Sequence, residues 1–234
     1  MQWRHRTGAI EGQRRYWDSA ADTTPAWYTA TQHHVLDPVF YQEGARETDA
    51  LFGVLRLPTS GTNLLEIGCG PGRMTGRLAE LYDAVTAVDI SPQMIARAEF
   101  VHRDSHSNIS FRTVTGNGDL PFAGESFDGV FSYITLQHIP DPRHQLRYIE
   151  ESLRVVRRSG WCAIQVRSPS KRSIAHEWVG HIGHTLQRKR TLSPAWRGAK
   201  IDLASVESLC RRVGADLSVN HLTLRHDWLL ISRN

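Results

Sequence analysis

The 234-residue chain reads as a doubly wound α/β domain. Three observations predict this: short apolar runs recur from Leu64 onward, helix-periodic segments separate them, and the first run breaks into glycines spaced two apart. Apolar runs of about four to eight residues suit buried strands, and their alternation with helices suits a sheet covered on both faces. The length allows one domain with a substantial core and is short for two.

Taken in order, residues 1–60 lack strand periodicity and carry Tyr16, Trp17, Trp27, Tyr28, Phe40 and Tyr41 in a polar setting, which predicts a helical lid. Asp37-Pro38 opens a helix through Phe40, Ala45, Leu51 and Leu55 that stops before Pro58. Strands are expected near 63–67, 84–88, 109–113, 127–133, 161–166, 216–223 and 227–232, with helices near 71–81, 92–101, 143–157 and 202–213. The rhythm lapses over 168–200, a stretch holding His176, Trp178, His181, His184 and Trp196. The division is therefore a lid (1–60), a core (61–167), a helical cap (168–200) and a terminal helix with a hairpin (201–234).

Composition narrows the function. No apolar run reaches membrane-spanning length, and the basic start, Met1 to Gly8, is followed by no apolar stretch of the kind a secretory signal carries. The expected location is the cytoplasm. Cys69, Cys162 and Cys210 are too scattered for a disulfide framework or a zinc site. The net charge of +4 comes from arginines interleaved with apolar residues, as in 146–155, and this pattern suits the solvated face of an amphipathic helix better than a nucleic-acid surface. Glu177, His181 and His184 share one face at helical spacing, but the order is not H-E-x-x-H, and Gly180 and Gly183 weaken the helix that would align them. No metal is expected.

The chemistry is carried by Leu64-Leu65-Glu66-Ile67-Gly68-Cys69-Gly70-Pro71-Gly72-Arg73. A strand feeding such a turn brings bare backbone N–H groups to a ligand at a helix N-terminus. The nicotinamide fingerprint spaces its glycines G-x-G-x-x-G, whereas here the third comes one residue earlier and Glu66 precedes the first by two. A second strand pattern, Val85-Thr86-Ala87-Val88-Asp89-Ile90-Ser91-Pro92-Gln93-Met94, ends in an acid that can take both ribose hydroxyls of an adenosyl group. Together these segments resemble the first two motifs of the class I S-adenosyl-L-methionine (SAM) dependent methyltransferases. Phe127-Asp128-Gly129-Val130-Phe131-Ser132-Tyr133-Ile134-Thr135-Leu136-Gln137-His138-Ile139-Pro140 resembles the type-11 group of small-molecule methyltransferases, and the likeness covers roughly 60–165.

The resemblance implies a seven-stranded, mostly parallel Rossmann-like sheet whose final hairpin inserts an antiparallel strand. It implies SAM as cofactor, leaving as S-adenosyl-L-homocysteine (SAH). Gly68, Cys69, Gly70 and Gly72 would cradle the cofactor, with Glu66 organising the turn or meeting the amino group through water. Asp89 would hold the ribose, Ile90 and Met94 the adenine face, and Tyr133 a further contact. Thr115-Gly116-Asn117-Gly118-Asp119-Leu120-Pro121-Phe122 resembles the third cofactor motif, with one departure: relatives carry at the place of Gly116 the Asp that receives the adenine amino group. Asn117 or the main chain of Gly118 would substitute, since an amide oxygen accepts the same hydrogen bond, while Asp119 reads as a turn residue beside them.

Methyl transfer from a sulfonium needs alignment and, for a hydroxyl acceptor, loss of a proton. His138 is the candidate base. Tyr16, Trp17, Tyr41 and, on the cap, His181 are candidate acceptor contacts. Ser132-Tyr133-Ile134-Thr135 is not the Asn/Asp-Pro-Pro-aromatic sequence of nucleic-acid amino methyltransferases, and Asp141 alone does not make the carboxylate cluster of metal-dependent O-methylation. The expected partner is thus a small-molecule acceptor and no nucleic acid, with a homodimer left open. N- or C-methylation, a nicotinamide oxidoreductase and a SAM-binding regulatory protein stand as alternatives.

Overall fold

The computed structural model describes residues 3–23, 37–167, 198–222 and 226–233. Among the described residues two helices come first, α1 (Trp3–Thr23) and α2 (Pro38–Leu55). An alternating core follows: β1 (Gly61–Ile67), α3 (Thr75–Leu81), β2 (Tyr82–Asp89), α4 (Pro92–His102), β3 (Ile109–Thr113), β4 (Phe127–Ser132), a single 3₁₀ turn (Leu136–His138), α5 (Pro142–Val155) and β5 (Val156–Val166). The chain closes with α6 (Leu203–Val213), β6 (Ala215–Asn220) and β7 (Asp227–Arg233). The seven strands lie in the order β3-β2-β1-β4-β5-β7-β6, and β7 runs antiparallel to both of its neighbours.

Helix starts are set by local chemistry. Asp37, Ser91 and Asp141 each accept a main-chain N–H of the first turn, and each is followed by a proline whose missing donor costs nothing there. Asp202 caps α6 through the N–H groups of Ala204 and Ser205, and Gly214 ends that helix in the left-handed conformation. Three boundaries differ from expectation by more than two residues, one of them the end of β6, which stops at Asn220 and not at 223. The turns of residues 71–74 precede α3, because Gly70 and Gly72 hold positive φ and delay the helix. β5 starts five residues early, at Val156, where it pairs with Phe127 before a bulge resets the register at Gly129.

Successive strand residues divide between two cores. Leu65, Val130, Ile164 and Leu229 face α5 and α6 and pack with Ile149, Leu153, Val206 and Leu209. Leu64, Phe131, Ala163 and Trp228 face α2 and α3 and pack with Phe52, Leu55 and Leu78. All six residues of β4 are buried, as a central strand of a sheet covered on both sides requires. Gly129 has a steric reason: a Cβ there would lie 2.4 Å from the Trp161 ring, which crosses β4 and meets Phe52 edge-on. Gly129→Ala should therefore cost about 1–3 kcal/mol by overpacking, read as a lower midpoint of urea unfolding with unchanged slope; an unchanged midpoint would show that Trp161 moves aside freely.

Candidate functional site

β1 lies between β2 and β4, so connections leave it in opposite directions and a crevice opens beyond the strand ends. The crevice is partly open to solvent and, counted with that open space, measures about 940 Å³.

Its floor is the loop after β1. Gly68, Gly70 and Gly72 have φ of 78°, 54° and 81°, a region L side chains avoid. The N–H groups of Gly68 and Cys69 both donate to Val88 O, at 2.7 and 3.1 Å, and this pins the loop to β2. A Cβ on Gly68 would come within 2.1 Å of Thr135, so the loops after β1 and β4 meet only because this residue is glycine. α2 supports the loop from outside: a Cβ on Gly44 would strike Arg73 O at 2.3 Å, and Tyr41 donates its hydroxyl to Pro71 O at 3.3 Å.

Two buried acids face the crevice. Asp89 accepts the Gly70 N–H at 3.0 Å through one carboxylate oxygen and the Ser91 N–H at 2.9 Å through the other. Burial pushes its carboxyl up to about 6 against those hydrogen bonds. Glu66 accepts the Thr75 hydroxyl at 2.6 Å; burial lifts it to about 7, the Thr75 bond opposing and the Asp89 charge adding.

The far wall is the loop after β4. Ile134 sits at φ 52°, an unusual place for a β-branched residue, held there by its N–H to Gln165 Oε1 at 3.2 Å. Strain of this kind collects at working sites. Tyr133 donates to Glu47 at 2.5 Å and stacks on Trp228 with ring centres 5.6 Å apart. The other Glu47 oxygen takes Arg73 Nη1 at 2.5 Å, while Arg73 Nε stays buried with no hydrogen bond among the described residues. His138, 6% exposed, closes the 3₁₀ turn; its Nε2 lies 3.4 Å from Gln137 Nε2.

α1 lies across the opening. Asp18 accepts the Ser91 hydroxyl at 2.5 Å, Ala20 and Ala21 pack on Met94, and the Trp17 ring meets His138 edge-on at 5.4 Å.

Of the predicted cofactor residues, Glu66, Gly68, Cys69 and Gly70 line the crevice floor, and Asp89, Ile90, Met94 and Tyr133 line its sides. Trp17 and His138 line it as well. Six others do not. Gly72 turns toward α4, where a Cβ would lie 2.8 Å from the His102 ring, and its carbonyl bonds His102 Nε2 at 2.8 Å. Asn117 is spent locally: its oxygen takes the Thr115 hydroxyl and the Asp119 N–H, and its amide donates to Asp119. Asp119 is further tied to Arg147 at 2.8 Å, and Gly118 packs against the Arg147 stem. Tyr16 stacks edge-on against Trp17, and Tyr41 supports the glycine loop from behind. His181, with the 168–200 cap up to residue 197, lies outside the described residues. Arg73, at the end of the glycine motif, lines the crevice as well, as do Val114, Tyr148 and, from α1, Gln13, which no motif marks in sequence.

The geometry agrees with comparison to known proteins. A family model described as a methyltransferase domain matches residues 65–164. A ubiquinone biosynthesis O-methyltransferase of Cereibacter sphaeroides is 30% identical over 71% of this chain and 74% of its own length. The chain belongs to the class I SAM-dependent methyltransferases. The O-methyltransferase cnsE of Penicillium expansum is 37% identical over 44% of the chain, a match that spans only 38% of that relative's length. Among solved structures, a complex of DhpI with SAM and HEP superposes with TM-score 0.63 at 25% identity, over 96% of this chain and 97% of that one. This methyltransferase uses SAM as cofactor. The described residues include no helix long and apolar enough to cross a membrane.

The two raised acids fix a pH response of the ligand-free methyltransferase. Folded Glu66 and Asp89 keep protons that the unfolded chain has lost, so stability falls as pH rises from about 4.5 to about 7. Thermal melts should show that decline in wild type, and Glu66→Gln should flatten it; an identical slope in the variant would mean Glu66 titrates normally.

Proposed function

We propose that this methyltransferase moves the methyl group of SAM to a hydroxyl oxygen of a small organic acceptor, with His138 as the base. The carrying observation is the place of His138: buried in the wall of the crevice that also holds Asp89 and the glycine loop, on the loop beyond β4. SAM supplies a methyl group on positively charged sulfur that already bears its leaving group, so the protein's work is placement and proton removal.

The residues fit that ligand. The positive-φ loop faces the crevice with no side chain at Gly68 or Gly70, so its backbone can come close to a ligand. Asp89 would hold the ribose hydroxyls, and Ile90, Met94 and Val114 would cover the adenine. Glu66 would favour the cationic end, and Arg73, with Nε unsatisfied, would take the carboxylate. At His138, the ring would accept the acceptor's proton as oxygen attacks carbon. The Gln137 amide beside it, with a buried oxygen lacking a described partner, would then turn to receive the new N–H.

The acceptor is a small molecule in this reading because the crevice lies beneath α1, and the names of both relatives describe O-methyltransferases. α1, which lies across the opening, would complete the cover once the acceptor is bound. The three cysteines of the chain are free and buried, which suits the reducing cytoplasm.

The test is titration with SAM, SAH and NAD, followed by an acceptor screen with phenols, catechols and amines. The expected result is saturable binding of the adenosyl pair alone and a product one methylene heavier, with fragmentation placing the methyl on oxygen. A methyl on nitrogen or carbon would sink the O-methylation reading. His138→Ala should lower turnover by about a hundredfold with SAH affinity unchanged; unchanged turnover would remove His138 from the mechanism. Asp89→Ala should abolish detectable SAH binding, and retained affinity would place the ribose elsewhere.

A further inference from the structure

The sequence resemblance puts an adenine-binding acid at the place of Gly116, and here a side chain would meet both backbone strain and apolar crowding. Its φ is 84°, and a Cβ would lie 2.3 Å from Ile90 Cδ1 and 3.3 Å from Ile10 Cγ2 of α1. The space an aspartate would occupy is filled by apolar groups, one of them contributed by the lid. Asn117 and Asp119 satisfy each other and Arg147 at the surface. That leaves this end of the crevice, bounded by Ile90, Met94, Val114 and Gly116, without a polar group from its own loop.

One turn along α1 from Ile10, on the same helix face, is Gln13. It is 6% exposed, lines the crevice, and its carboxamide makes no hydrogen bond among the described residues. Its amide atoms keep access to the crevice and are taken by no neighbour among the described residues, so one acceptor and one donor are available to a ligand there. We propose that Gln13 reads the adenine of the cofactor from the lid: its oxygen accepts from the 6-amino group and its nitrogen donates to a ring nitrogen. A carboxamide offers one acceptor and one donor side by side, the pattern that adenine presents in reverse. Among the described residues the Tyr148 hydroxyl also lines the crevice without a hydrogen bond, and it supplies a single contact and not a pair. The inference rests on the SAM reading above and adds that the adenine site is complete only with α1 in place.

The experiment is calorimetric titration of the full chain with SAH and with its 6-deamino purine analogue, comparing wild type, Gln13→Ala, Gln13→Leu and Tyr148→Phe. Wild type should prefer SAH by about tenfold. Both Gln13 variants should bind the two ligands alike, through weaker SAH binding, while Tyr148→Phe keeps the preference. A Gln13 variant that weakens both ligands equally, leaving the ratio intact, would show lid damage rather than lost recognition and overturn the proposal. Loss of the preference in Tyr148→Phe alone would do the same. No SAH binding by wild type would instead bring down the cofactor reading, and the proposal with it.

Discussion

The carboxylate of Asp89 is the joint on which this site turns. One oxygen holds the Gly70 N–H and the other the Ser91 N–H, so a single side chain fastens the loop after β1 to the start of α4. Ser91 passes the connection on: it caps α4 through Met94 N and donates to Asp18 of the lid. Removing the carboxylate would therefore release loop, helix start and lid anchor together, which explains why an acid is kept where burial opposes its charge. Main-chain donors offset that opposition, as hydrogen bonds to an ionised acceptor are among the stronger ones available.

The three glycines of the loop do different jobs. Gly70 presents its N–H to Asp89, Gly68 makes room for Thr135, and Gly72 makes room for His102. Only the first two belong to the crevice. Replacing any of them forces an L residue into a left-handed backbone, yet the collision that follows differs: the loop after β4 at Gly68, α4 at Gly72. A motif that looks like one ligand cradle is thus partly a packing device, bringing two neighbouring elements close enough to share a wall.

Much of this was legible in the sequence. Strand patterns gave five strands to within two residues at each end, and the Asp-Pro and Ser-Pro pairs gave helix starts that the caps explain. The antiparallel β7 came only through resemblance, since apolar periodicity carries no strand direction. What escaped depends on tertiary direction. The sequence cannot say that Gly72 faces α4, or that Asn117 and Asp119 spend their polar atoms on each other. Position within a motif implied contact, and local hydrogen bonding won. The start of β5 escaped because Arg157, Arg158 and Ser159 interrupt the apolar run, although Val156 already pairs with β4. Gln13 escaped for a plainer reason: a lone polar residue on a helix looks solvated until the fold buries it.

α1 shows how one helical period can serve packing and chemistry together. Ile10, Gln13, Trp17, Ala20 and Ala21 fall on one face, at spacings of three or four. Ile10 meets Gly116, Trp17 meets His138, and the alanines meet Met94, so this face touches the crevice wall at both ends and the helix beside it. The alanines are small because α4 runs close beneath them, and the polar anchor, Asp18 on Ser91, sits at the edge of the stripe where it is half-buried. The docking of the helix therefore rests on a few small apolar contacts and charged bonds at the surface, the composition of an element that can leave and return. Its inner face carries the residues that shield the crevice from water, and a water-poor crevice strengthens every charge interaction made there. α1 thus controls the dielectric in which Asp89, Glu66 and His138 act.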